Sequence, residues 1–242
     1  MTRDARRYAR PSGLSCSSAV TIVTKRWSIS PGWKSTARLA GWCNVTDLPL
    51  FPLGGVLLPH GRMALQVFEQ RYLDLIRESL RNSEPFGIVW IRRGSEVAER
   101  GSVSPELGDF GTCAHIVDWD QLPNGLLGIT VEGRERFELQ DTSMRANGLV
   151  VGQVDVLPTP EPLRMREDWQ SLLDVLRSLE AHPHVQRMNL DLDFNDAWQV
   201  GYGLTQLLPM EESLKYELLC IDEIDALMSE LDTLLNQISG EG

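Results

Sequence analysis

Between Leu48 and Leu157 the apolar residues come in short runs separated by Gly and Pro, and beyond Pro162 they recur at helical spacing. This change of period predicts strands first and helices afterwards. Leu48 to Leu58 reads as extended chain. Pro49 and Pro52 each remove a backbone donor, which predicts an edge strand or a strand interrupted by turns. Gly54-Gly55 and Pro59-His60-Gly61 are turn signals, and Met63 to Val67 is a second short strand. Phe68, Tyr72, Leu75, Ile76 and Leu80 share one face of a helix ending near Asn82. Phe86 to Ile91 is a continuous apolar run, consistent with a buried strand. Arg92 to Phe110 is polar, contains glycine and reads as a loop. From Gly111 to Trp119 the residues alternate, placing Cys113, His115, Val117 and Trp119 on one face. Pro123-Asn124-Gly125 is a hairpin signal. It leads into strands at Leu126 to Val131, at Arg136 to Leu139 beyond Gly133, and at Leu149 to Leu157. Short strands joined by Gly/Pro turns, with one early helix, predict a small closed or half-closed barrel.

Pro158-Thr159-Pro160-Glu161-Pro162 reads as a stiff linker. Trp169, Leu172, Leu173, Leu176 and Leu179 then mark a helix, and Trp198, Tyr202 and Leu204 to Leu208 a second, stopped by Pro209. Leu214, Leu218 and Ile221 suggest a short third. Ile224, Leu227, Met228, Leu231, Leu234, Leu235 and Ile238 form the cleanest amphipathic stripe in the chain. The expected fold class is therefore α+β, a β-rich part followed by a helical bundle. The expected divisions are an extension over 1–44, a β-barrel part over 45–157, a Pro-rich linker over 158–163 and the bundle over 164–242.

Charge sharpens the boundary near residue 45. Residues 1–46 carry eight basic side chains and one acid, a charge of +7, so the rest of the chain holds −18 of the total −11. The leading segment is rich in Arg and Ser, holds Trp27, Trp33 and Trp42, and sustains neither a helical nor a strand period. It is expected to be disordered, or upstream sequence preceding a true start at Val45. An acidic body repels phosphate backbones, which argues against nucleic acid as a partner. No apolar run reaches the length of a transmembrane helix, so no membrane partner is expected. Cys16, Cys43, Cys113 and Cys220 form no CxxC pair, which suits a reducing, cytoplasmic setting better than a disulfide framework.

Catalytic signatures are sparse. The three lysines, Lys25, Lys34 and Lys215, follow no glycine-rich phosphate loop, and GxSxG and HExxH are absent. Cys113 and His115 share a strand face but lack further ligands, and a strand interior explains them better than a metal or a nucleophile. His182-Pro183-His184 reads as a polar loop between helices. Asp191, Asp193 and Asp196 look like the start of a calcium loop without its glycine and closing glutamate, so helix capping is expected instead. Glu69 and Arg71 at the strand-to-helix junction are expected to pin the helix start. Neither a cofactor, a metal nor a catalytic residue is expected.

Several short motifs keep a specific order. LPLFPL at Leu48 to Leu53, VLLP at Val56 to Pro59 and FExRY at Phe68, Glu69, Arg71 and Tyr72 come first. G-T-x-A-x-I at Gly111, Thr112, Ala114 and Ile116 follows, then a turn at Gly125 and G-x-x-R-F at Gly133, Arg136 and Phe137. Together they resemble the N-terminal domain of the Lon protease family, from Leu48 almost to the end. The resemblance implies a PUA-like pseudo-barrel followed by a helical bundle. It implies a role in recognising substrate, with no catalytic residue carried over, because the family's ATPase and Ser/Lys protease parts are not in this sequence. Phe68, Glu69, Arg71, Tyr72, Gly133, Arg136 and Phe137 are then scaffold residues, with the peptide-binding site unlocated. The leading expectation is a non-enzymatic module for exposed or unfolded polypeptide segments, adaptor or chaperone-like. The alternative is a small-molecule-binding or signalling domain of the Lon/cereblon-like type, and an enzyme is the weakest reading.

Overall fold

A computed structural model describes residues 46–94 and 105–240, with side chains through residue 237. The expectation for residues 1–44 lies outside the described residues. Six strands form one sheet: β1 (Thr46–Leu53), β2 (Arg62–Val67), β3 (Phe86–Arg93), β4 (Glu106–Gln121), β5 (Leu127–Met144) and β6 (Val150–Val156). Helix α1 (Gln70–Asn82) sits between β2 and β3. After β6 come α2 (Gln170–Glu180), the single turn α3 (Pro183–Gln186), α4 (Ala197–Leu207), α5 (Glu212–Leu219) and α6 (Ile224–Gly240). The α+β expectation holds.

The sheet runs β2-β5-β4-β3-β1-β6, and β5 also pairs with β6, so five strands close on themselves with β2 flanking β5. Closure depends on the length of β5. Its first part pairs with β2 and β4, and its last part, from Phe137 to Met144, with β6. The two strands expected on either side of Gly133 are therefore one.

Strand β1 is not an edge strand. Its first half, Thr46 to Pro49, pairs antiparallel with β6, and its second half, Leu50 to Leu53, pairs parallel with β3. Each half has a ladder partner on one side only. Each proline can therefore sit mid-sheet, with no partner on its other side to miss the absent N–H. Strand β4 also differs from expectation. It begins at Glu106, inside the expected loop, and its pairing with β5 shifts register between Thr112 and Ala114 and again between Ile116 and Asp118. The first puts the extra residue on β5, and the second puts it on β4, at Val117, where it breaks the alternation. Cys113 stays buried on one side of the sheet, whereas Trp119 lies opposite Ile129 on the other, so the four residues do not share a face.

Three apolar clusters fill the molecule. Under α1, Phe51, Leu65, Val67, Tyr72, Ile76, Phe86 and Ile129 pack together, with the rings of Phe51 and Tyr72 stacked at 3.9 Å. Across the sheet Leu50, Val89, Cys113, Phe137 and Val154 form a smaller group. Helices α2, α4, α5 and α6 enclose the third, which also takes in Val56 and Leu58. Helix α4 is buried almost all round because Gly201 lets Leu227 of α6 approach, where a Cβ would meet the leucine at 2.8 Å. Ile224, Leu227, Met228 and Leu231 face this cluster as the stripe predicted, and Leu234 and Leu235 pack at its margin.

The loop from Gly54 to Gly61 is shared between clusters. Val56 and Leu58 face the bundle helices, and Leu57 between them joins the cluster under α1. The Val56 N–H donates to Glu212 Oε2 at 2.7 Å, and the Leu57 carbonyl accepts from Thr112 Oγ1 at 2.6 Å.

Candidate functional site

The residues that carry the sequence signature lie at two joints. At the first, Arg71 Nε donates to Glu69 Oε2 at 2.9 Å, and Arg71 also donates to the Gly148 carbonyl at 2.9 Å. Its guanidinium lies over the Tyr72 ring, 4.5 Å from the centroid. The start of α1 is thereby tied to the turn between β5 and β6, as the pairing of Glu69 and Arg71 predicted. Phe68 precedes the helix and is exposed, and Leu80 is exposed at the far end, so neither joins the buried helix face.

The second joint links strands to helices. Gly133 N–H donates to the Gly61 carbonyl at 2.9 Å, and His60 N–H donates to the Gly133 carbonyl at 2.8 Å. A Cβ on Gly133 would collide with the Leu58 carbonyl oxygen, so only glycine permits this approach. Arg136 is buried and reaches the end of α5, donating to the Leu219 carbonyl at 2.7 Å, the Ile221 carbonyl at 3.2 Å and Asp222 Oδ1 at 2.7 Å. A cation there satisfies orphan carbonyls and opposes the negative helix end. Phe137 is fully buried, its ring occupying the space that glycines at 87 and 111 leave open. Tyr216 of α5 makes a parallel contact, its hydroxyl accepting from Phe110 N–H at 3.2 Å and from Arg92 at 3.1 Å.

The groups considered for chemistry sit in the sheet, at helix caps and in turns. Burial pushes the Cys113 thiol up to about 12, which keeps it protonated and weakly nucleophilic at neutral pH. Burial also lowers the pKa of His115, with Arg134 adding to the effect, and its Nε2 has no hydrogen-bond partner among the described residues. His60 is lowered by burial as well, against the raising influence of Asp196 and Glu132. His182 and His184 do not form a loop: His182 caps the single turn of α3, its Nδ1 accepting from His184 N–H at 3.2 Å. Asp196 caps α4 by accepting from Trp198 N–H at 3.2 Å, and Asp193 accepts from Asn195 N–H at 2.9 Å. Asp191 is exposed. Among the described residues no group of three or more His, Cys, Asp or Glu is placed to hold a metal, and no helix is long and apolar enough to cross a membrane.

Two surfaces remain for a partner. A groove of about 420 Å³ runs between α2 and α3, lined by Arg177, Glu180, Val185, Gln186, Asn189 and neighbours, all exposed or half-buried. It brings together no buried polar groups of the kind that orient a small ligand. The other surface lies on β4. Trp119, opposite Ile129, and Val117, two residues before it, are exposed at 59% and 40%. Neighbouring exposed large apolar side chains are a stronger mark of an interaction surface than single scattered ones. No sequence signal singled out this place, because the residue inserted between Ile116 and Asp118 is what turns Trp119 to its face.

Residues 47–237 match the family described as the ATP-dependent protease La (LON) substrate-binding domain. The fold is similar to the crystal structure of a Lon N-terminal domain protein from Xanthomonas campestris, at 34% identity and a TM-score of 0.63, over 78% of this chain and 98% of that one. The N-terminal domain of a Mycobacterium avium complex Lon protease shares the fold at 13% identity and a TM-score of 0.52, over 77% of this chain and 96% of that one. A Lon protease of Porphyromonas gingivalis is 24% identical over 189 residues, 74% of this chain and 22% of its own length. One from Parabacteroides distasonis is 24% identical over 136 residues, 54% of this chain and 16% of its own length. The chain thus spans less than a quarter of the length of either protease. It belongs to the Lon substrate-binding domain family.

Proposed function

We propose that this chain is a non-enzymatic module that binds exposed or unfolded polypeptide segments, acting in the cytoplasm as an adaptor or chaperone-like factor. The family assignment over residues 47–237 carries the reading. The exposed Val117 and Trp119 on β4 support it, since an unfolded segment offers apolar side chains to such a surface. Phe68, Glu69, Arg71, Tyr72, Gly133, Arg136 and Phe137 serve here as scaffold, the last six by holding α1 and α5 to the barrel. The small-molecule reading rests on the α2–α3 groove and is weaker, because that lining is open. The −18 body disfavours RNA.

The test is titration of the full chain with a fluorescently labelled, permanently unfolded reporter protein. Binding in the micromolar range, lost when the reporter is folded, is the expected result. Equal indifference to both forms at high micromolar concentration would sink the proposal.

A further inference from the structure

Among the described residues no strand pairs with the outer edge of β4 beyond Ala114. Strand β3 pairs with β4 only between Glu106 and Ala114, and from His115 to Gln121 the ladder continues on the β5 side alone. In an antiparallel hairpin the main-chain groups of alternate residues point to the partner and to the outside. Leu122 N–H bonds the Leu126 carbonyl at 2.8 Å, which sets the phase. Counting back through the register, Asp120 and Asp118 face β5, and Gln121 and Trp119 direct their N–H and C=O groups outward. The hydrogen bonds agree. Trp119 N–H donates to Asp118 Oδ1 at 2.9 Å, and Gln121 N–H donates to Asp120 Oδ1 at 2.7 Å, both at the exposed surface.

Each outward donor is thus capped by the carboxylate just before it. The caps are local and exposed, so they exchange with water at little cost. Among the described residues neither carboxylate has a cationic partner. Asp118 and Asp120 lie on one face of the strand and Trp119 on the other. The edge therefore offers two anions to one side of an arriving strand and an aromatic ring to the other.

We propose that the β4 edge from Val117 to Gln121 accepts an extended polypeptide strand whose basic and apolar residues alternate. The inference rests on the polypeptide-binding reading and gives that surface a binding mode. The strand's carbonyls take the N–H groups of Trp119 and Gln121, and its cations draw the two carboxylates off those donors. Apolar residues of the strand cover Trp119 and Val117. Main-chain pairing supplies sequence tolerance, and alternate side chains supply preference. Charge selects this occupant over a second copy of the chain. Pairing two β4 edges would bring four aspartates together on one small sheet face, where like charges oppose association.

The probe is a short peptide alternating Lys with Val and Phe, added to the full chain. Amide hydrogen exchange is expected to slow at Trp119 and Gln121. A peptide with Glu in place of Lys, or one N-methylated along its pairing side, is expected to bind at least about tenfold more weakly. The variant D118N/D120N keeps both local acceptors, so its unfolding midpoint should be unchanged while Lys-peptide affinity falls about tenfold. Protection confined to other residues, undiminished binding of the N-methylated peptide, or protection that appears with protein concentration alone would overturn the proposal. Binding of the unfolded reporter with a silent β4 edge overturns this inference and leaves the polypeptide-binding reading standing. An edge that responds to the peptide while the reporter stays unbound does the reverse.

Discussion

Gly133 and Gly125 show how one residue type is required for two physical reasons. Gly125 adopts a φ of 82° with open space around its Cα, so Gly125→Ala should cost only the backbone strain, about 1 kcal/mol. Gly133 has the Leu58 carbonyl where a Cβ would stand, so Gly133→Ala must displace main chain and should cost about 3 kcal/mol. Urea midpoints of the two variants give the comparison, and equal losses would contradict it. Arg136 divides in the same way. Arg136→Met strands the Leu219 and Ile221 carbonyls in a buried place and should cost about 3 kcal/mol. Asp222→Asn removes an exposed partner and should cost less than about 1 kcal/mol. The family resemblance implied a scaffold role for both positions, but nothing in it revealed that the arginine reaches a helix end some eighty residues away. His60 and His115 add a pH dependence. Burial lowers both below the ordinary 6.5, so the unfolded chain takes up their protons first as the solution is acidified. Stability should be full above about pH 6.5 and fall below it, and His115→Gln should flatten that fall in urea titrations between about pH 7.5 and pH 5.5.

At the scale of elements, local period was enough wherever a strand or helix packed one simple face. It located β2, α1, β3, β6 and the α6 stripe. It failed where the sheet departs from regular pleating. The bulge at Val117 in β4 turns Trp119 to the opposite side, and the closure of the barrel fuses two expected strands into β5. The prolines of β1 suggested an edge because a sequence cannot show that the strand changes partner midway. A second hairpin signal, Ala146-Asn147-Gly148, repeats the first atom for atom. Leu126 N–H donates to Asn124 Oδ1 and Leu149 N–H to Asn147 Oδ1, both at 3.1 Å, and both glycines have φ 82°. The same capping also recurs, with Asp141 accepting from Thr142 N–H at 2.8 Å on the exposed length of β5. Charged caps on free strand edges oppose edge-to-edge aggregation. Asp118→Val with Asp120→Val should therefore leave the fold intact but raise the rate of thioflavin-positive aggregation, and an unchanged rate would show that the carboxylates do not guard the edge.

Over the whole molecule, strands and helices are bound by contacts that leave little room for separate unfolding. Val56, Leu58, Glu212, Arg136 and Tyr216 all cross between them. Denaturation should be a single transition, with Trp fluorescence and far-ultraviolet dichroism coinciding. Two separated transitions would contradict that coupling. The shared loop also has a consequence for how the chain is made. Its Val56 donor waits for the Glu212 acceptor, 156 residues later. A ribosome delivers the barrel sequence long before α5 emerges. During that interval Val56 and Leu58 have no helical cluster to enter, and Gly133 closes onto a loop without its outer wall. A chain stalled before residue 212 would therefore leave Val56 and Leu58 uncovered, the kind of exposed segment that its finished form is proposed to bind.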